Sequence, residues 1–306
     1  MNKRVIIAAV IIVVVGAIIF GVTSRLKGSG ITGIFSQSAS LYNQAASLQA
    51  KGQIAEATSL LEELVAKFPQ ENNTADALSK LGAIYEGDGQ WLKAKESYGM
   101  LIATFPNSKN VSEAEKRLWD MNIKILFSPL VTEKDFAYLV VAGDSLAKIA
   151  TKQNTTVDLI MRSNNVQGTL IRVGQRLKIP ANKFSVIIDK SQNTLALKAD
   201  DEIMKVYSVA TGKDNCTPLG NFTIIERLIN PDWYKSGQGV VPADSPENIL
   251  GTRWMGLSEP QYGIHGGATP PDLGQQVTEG CVRMLDADVE ELFTILPRNT
   301  VVTIVD

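Results

Sequence analysis

Histidine occurs once in these 306 residues and cysteine only twice. One histidine and no Cys-x-x-Cys spacing leave a tetrahedral zinc site without ligands. Two cysteines are too few to staple a disulfide scaffold. No basic run exceeds a dipeptide, and the net charge is −2 with a pI of about 5.7. A nucleic-acid binder needs a phosphate-neutralising patch, so that class is excluded. No motif calls for a metal or an organic cofactor. Hydrophobic residues at 44% are enough for cores rather than disorder. The length allows two or three domains.

Residues 5–22 are apolar or glycine without interruption. About 18 such residues are just enough to span a bilayer. Lys3 and Arg4 precede the run, Arg25 and Lys27 follow it, and no small-x-small cleavage site stands out. The expectation is an uncleaved N-terminal transmembrane helix over residues 1–27. It would anchor the chain in the inner (cytoplasmic) membrane of a bacterial envelope, with later domains facing the periplasm or wall. The Gly/Ser-rich residues 28–40 read as a flexible linker.

Over residues 41–128 the pattern is helical and repeats. Leu41, Gly52, Ala57, Leu64, Phe68 and Pro69 recur 37 positions on as Leu78, Gly89, Ala94, Leu101, Phe105 and Pro106. This spacing resembles the tetratricopeptide repeat, in which small residues let paired helices approach. A third amphipathic helix, residues 112–127, is expected to cap the pair. The repeats are either a surface for a protein partner or a helical spacer.

Residues 135–181 read as strand, helix, helix, strand. Asp144 is the expected cap of the first helix and Thr155 or Thr156 of the second; Gly143 and Gly174 supply turns. Gly143-Asp144-Ser145-Leu146 and Val173-Gly174-Gln175-x-Leu177-x-Ile179-Pro180 together resemble a LysM module. That resemblance implies a small βααβ domain that binds the glycan strands of peptidoglycan.

From residue 183 to 306 the period drops to two and β-branched residues dominate, as in Ser185-Val186-Ile187-Ile188-Asp189. One helix is expected after Asp286, read as its cap, before a last strand at residues 300–305. This mostly-β region holds the sole histidine, His265, and Cys281. A thiol becomes nucleophilic when a base takes its proton, and imidazole suits that task near neutrality. A buried structural Cys281, or a Cys216–Cys281 disulfide, is the competing reading.

Four runs carry a further likeness: Thr217-Pro218-Leu219-Gly220-Asn221-Phe222, Gly251-Thr252-Arg253-Trp254-Met255-Gly256-Leu257, Tyr262-Gly263-Ile264-His265-Gly266, and Glu279-Gly280-Cys281-Val282-Arg283-Met284. Together they resemble the L,D-transpeptidase catalytic domain family. The resemblance implies a β-sandwich-like fold and acyl transfer on peptidoglycan stem peptides. Cys281 would be the nucleophile and His265 the base, its second ring nitrogen held by the Gly266 carbonyl. Gly280 and Cys281 would offer backbone N–H groups to the oxyanion, and Arg283 would hold a substrate carboxylate. Many members read Ser-His-Gly-Cys at the nucleophile; here Glu279 stands in place of that histidine. Cross-linking, L,D-carboxypeptidase action and protein-to-wall anchoring share this chemistry, and a non-catalytic peptidoglycan-binding scaffold is the reading of a different class.

Overall fold

The computed structural model describes residues 31–235 and 239–306. These form two compact units, which divide after Ile125.

The first unit is helical: α1 (Ile31–Ala50), α2 (Ile54–Lys67), α3 (Asn72–Gly87), α4 (Trp91–Thr104) and α5 (Val111–Leu126). Equivalent positions of the two repeats are interior. Ala57 and Ala94, and likewise Leu64 and Leu101, are fully buried. The expected linker is shorter than the composition suggests, because helix α1 already starts at Ile31. The architecture is also corrected in its first element. Among the described residues no helix is long and apolar enough to cross a membrane. The apolar run read as an anchor, residues 5–22, lies outside the described residues.

The second unit opens with the small βααβ module. Strand β1 (Asp135–Leu139) pairs antiparallel with β2 (Arg176–Pro180), and α6 (Leu146–Lys152) and α7 (Val157–Ser163) lie between them in sequence. The cap of α6 is Ser145, whose Oγ accepts from the Lys148 N–H at 3.2 Å. Asp144 instead accepts from the Tyr138 hydroxyl and the Val141 N–H. Its carboxylate is used to close the strand–helix turn, which is the other role open to such a side chain. Thr156 caps α7, accepting from the Leu159 N–H at 2.9 Å.

The remainder is mostly β. Its strands are β3 (Phe184–Asp189), β4 (Thr194–Ala199), β5 (Glu202–Ser208), β6 (Thr211–Gly212), β7 (Gly220–Ile229), β8 (Trp233–Lys235), β9 (Gly239–Val241), β10 (Arg253–Leu257), β11 (Gly263–His265), β12 (Gln276–Thr278), β13 (Val282–Arg283) and β14 (Val301–Val305). Eight of them follow one hydrogen-bonded order, β13-β11-β10-β7-β14-β3-β4-β5, while β6 pairs with β12 and β8 with β9. The implied sandwich is therefore not two separate sheets. Strand β7 is long enough to serve two leaves: residues 220–223 pair with β14, and residues 224–229 pair with β10. Buried Val186, Ile188, Leu195, Leu197, Val302 and Ile304 show the strict alternation that half-buried strands require. Helix α8 (Asp286–Ile295) packs on β10 and β11. It also meets α7, where the Thr156 hydroxyl donates to the Thr294 carbonyl.

Candidate active site

Strand β11 ends on His265, and it lies parallel to β13 with Ile264 opposite Val282 and His265 opposite Arg283. Cys281 immediately precedes β13. Alternation puts side chains two residues apart on one face, so Cys281 and Arg283 share the face on which His265 stands. The Gly263 N–H faces the Cys281 sulfur and favours its ionised form. The thiol itself donates to the Gln261 carbonyl at 3.5 Å.

The imidazole is buried, with 2% of its surface exposed. Its Nδ1 lies 2.8 Å from the Gly266 carbonyl. A carbonyl can only accept, so Nδ1 carries the proton and Nε2 keeps its lone pair. Burial drives the imidazole pKa down to about 4; the Gly266 carbonyl opposes that shift and the Arg283 charge adds to it. The Cys281 thiol is pushed up, first by burial, then by the fields of Cys216 and Glu279, against the Gly263 N–H. The two shifts point the same way. Burial therefore favours the neutral form of both groups, a thiol at Cys281 and an imidazole at His265. Glu279 is exposed and contributes the smallest of the causes acting on Cys281.

The backbone beneath Cys281 is pinned from several directions. The Thr278 hydroxyl donates to the Cys281 carbonyl at 2.6 Å and accepts from the Gly280 N–H at 3.2 Å. The Gly280 N–H is therefore already engaged, and of the two donors named from sequence it is Cys281 whose N–H forms no such bond to Thr278. Gly280 has φ of +121°, and a β-carbon there would sit 2.5 Å from the Tyr262 ring. Only glycine meets both demands. The Gly280 carbonyl accepts from the buried Thr217 hydroxyl at 2.9 Å, which in turn accepts from the Gly212 N–H at 2.8 Å. Lys190 secures that loop, its Nζ donating to the carbonyls of Asn215 and Thr217 at 2.9 and 2.7 Å.

Asp286 departs from the helix-cap reading. The cap position is Leu285, and Asp286 Oδ1 accepts from the N–H groups of Gly267 at 3.0 Å and Thr252 at 3.1 Å. A β-carbon at Gly266 would lie 2.0 Å from that oxygen, so the His265-Gly266 turn closes directly over the carboxylate. Trp254, opposite His265 on β10, stacks on the imidazole with centroids 5.9 Å apart. The Arg283 guanidinium reaches Asp272 at 3.7 Å, while its buried Nε has no partner among the described residues. Both cysteines are free thiols, so the expected alternative of a Cys216–Cys281 disulfide is not formed. Among the described residues no cluster of His, Cys, Asp and Glu could hold a metal ion.

This site lies within a match to the L,D-transpeptidase catalytic domain model, over residues 183–304. The protein assigned as L,D-transpeptidase YkuD in Bacillus licheniformis is 32% identical over 175 residues, which is 55% of this chain and 97% of that one. The chain belongs to the L,D-transpeptidase family. A second relative, assigned as L,D-transpeptidase YqjB of Bacillus subtilis, is 39% identical over 42% of this chain and 74% of its own. The LysM domain model matches residues 138–180, and the tetratricopeptide repeat model matches residues 39–71 and 76–108. Among solved structures, an L,D-transpeptidase from Mycobacterium tuberculosis H37Rv aligns at 16% identity with a TM-score of 0.35. That alignment covers 44% of this chain and 63% of that one, so the chain spans under two thirds of its length. The protein is an L,D-transpeptidase that carries a LysM domain and helical repeats, a cell-wall-related bacterial protein.

Proposed function

We propose that Cys281 is the nucleophile and His265 the general base of an acyl transfer between peptidoglycan stem peptides. The observation that supports this most directly is the bond from His265 Nδ1 to the Gly266 carbonyl. It fixes the tautomer that leaves Nε2 able to accept the thiol proton. As the Cys281 proton passes to Nε2, sulfur attacks the carbonyl at the L-centre of the donor's third residue. The oxyanion faces the Cys281 N–H, a donor worth about 3 kcal/mol in such sites. The C–N bond breaks, the imidazolium returns its proton to the departing D-alanine amine, and a thioester remains. An acceptor amine then attacks the thioester, gives a proton to His265, and expels the thiolate, joining two third residues. Because both groups start neutral, proton transfer and attack proceed together rather than from a stored thiolate.

In this reading Arg283, whose buried Nε has no partner among the described residues, holds a donor carboxylate. Gly280 serves through its backbone shape and Gly266 through its carbonyl. The test is to incubate the full chain with disaccharide-tetrapeptides and weigh the products. A dimer lacking one D-alanine indicates cross-linking, and a tripeptide monomer indicates L,D-carboxypeptidase action. Undiminished product from a Cys281→Ala variant would sink the assignment.

A further inference from the structure

Trp254 lies in a trough that the sheet leaves open for it. It stands opposite His265 where β10 pairs with β11, and the next pair on the same face is Gly256 with Gly263. A β-carbon at Gly263 would sit 2.6 Å from the indole ring, and one at Gly256 would sit 2.9 Å from its Nε1. Neither glycine has a positive φ. What they supply is space, which lets the indole lie across the two strands. The indole stacks on the His265 imidazole with centroids 5.9 Å apart and planes 29° from parallel. Its Nε1 donates to Glu226 Oε2 at 3.1 Å. Carboxylate, indole and imidazole thus follow one another in contact.

A base that takes a proton in a buried place becomes a buried cation, and His265 is buried. The charged and titratable groups around it are Cys281 just before β13, Arg283 on β13, Asp286 on α8 and, behind the indole, Glu226 on β7. Asp286 favours the cation and Arg283 opposes it. The face of an indole carries a negative quadrupole and attracts a cation within about 6 Å. An indole whose N–H is bound to a carboxylate is polarised further in that sense. We infer that Trp254, polarised by Glu226, is a positioning residue that stabilises the imidazolium of His265 as it forms. This rests on the acyl-transfer reading above. A contact that strengthens only once the proton has moved raises kcat and leaves KM alone.

The test drains charge from the ring while keeping its shape. The full chain is made with mono-, di- and tetrafluorotryptophan in place of tryptophan. The kcat is expected to fall stepwise, by about fivefold across the series, with KM unchanged. Trp91, Trp119 and Trp233 are fluorinated as well. The series is therefore repeated on Trp254→Phe, where the rate should no longer follow fluorine. His265 is the sole histidine, so isotope-labelled histidine gives a single Nε2 signal. Its protonation, followed downward from neutral pH, should move to lower pH by about 0.7 unit across the series, the same fivefold. Glu226→Gln keeps an acceptor without the charge and should move it the same way, but less on Trp254→Phe. An Nε2 titration that ignores fluorine overturns the inference. A titration that follows fluorine while kcat does not faults His265 as the base instead.

Discussion

The Thr217 hydroxyl and the Gly280 carbonyl, 63 residues apart in sequence, meet at 2.9 Å in the buried floor of the site. The same hydroxyl accepts from the Gly212 N–H. One side chain therefore fixes both the loop before β7 and the peptide that presents Cys281. Thr217→Val leaves a buried carbonyl and a buried N–H unpaired, and each costs about 1–3 kcal/mol. Thermal unfolding should show that loss, with kcat down about tenfold. Thr217→Ser should recover most of both, since it keeps the hydroxyl.

Asp286 supports the other half of the site from beneath the His265-Gly266 turn. Asp286→Ala removes an acceptor from two N–H groups and is expected to lower stability by about 2–3 kcal/mol. Asp286→Asn keeps an oxygen that can accept and should lose less. Equal melting temperatures for the two variants would show that the carboxylate does not hold the turn.

The pH profile follows from a buried imidazole. The base must be neutral, and its pKa lies near 4 instead of 6.5. The acid limb of kcat/KM is therefore expected near pH 4, with no loss as pH falls through 6.5. Stability behaves differently. The unfolded imidazole takes its proton near 6.5, while the folded one resists until about 4. Stability is full above 6.5 and falls by about 3 kcal/mol as pH drops to 4, then levels off. Chemical denaturation across that range should show the slope, and His265→Gln should abolish it.

Because burial raises the Cys281 thiol, the resting enzyme is expected to alkylate slowly at neutral pH and faster only in alkali. A labelling midpoint below pH 7 would mean that a stored thiolate exists after all. Cys216 is exposed and labels first, so the measurement is made on a Cys216→Ser background.

Gly280→Ala places a β-carbon 2.5 Å from the Tyr262 ring on a backbone with φ of +121°. A kcat loss of more than a hundredfold is expected. Adding Tyr262→Ala removes the clash but not the backbone strain, so the double variant should recover only part of the rate.

The repeats, the LysM module and the catalytic segment were all legible in sequence, because each is written in local periodicity or in contiguous motifs. The 37-residue recurrence of Ala57 as Ala94 falls on two fully buried helix positions. What escaped was long-range. Asp286 looks like a helix cap, since nothing in its neighbours reveals that Gly267 and Thr252 donate to it. Lys190 at a strand end carries no local signal for the two carbonyls it binds. The protonation states of Cys281 and His265 are not legible in sequence for a related reason. Rare residues announce a site, but burial decides which of their forms is stable, and burial is a property of the assembled sheet. Ser145 takes the cap role expected of Asp144 because two neighbouring polar side chains can each serve the same turn.

Helix α8 brings Asp286 under the His265 turn at its first turn, and near its other end the Thr294 carbonyl receives the Thr156 hydroxyl of the LysM module. The LysM module and the turn that carries His265 are thereby braced against one another by a single short helix.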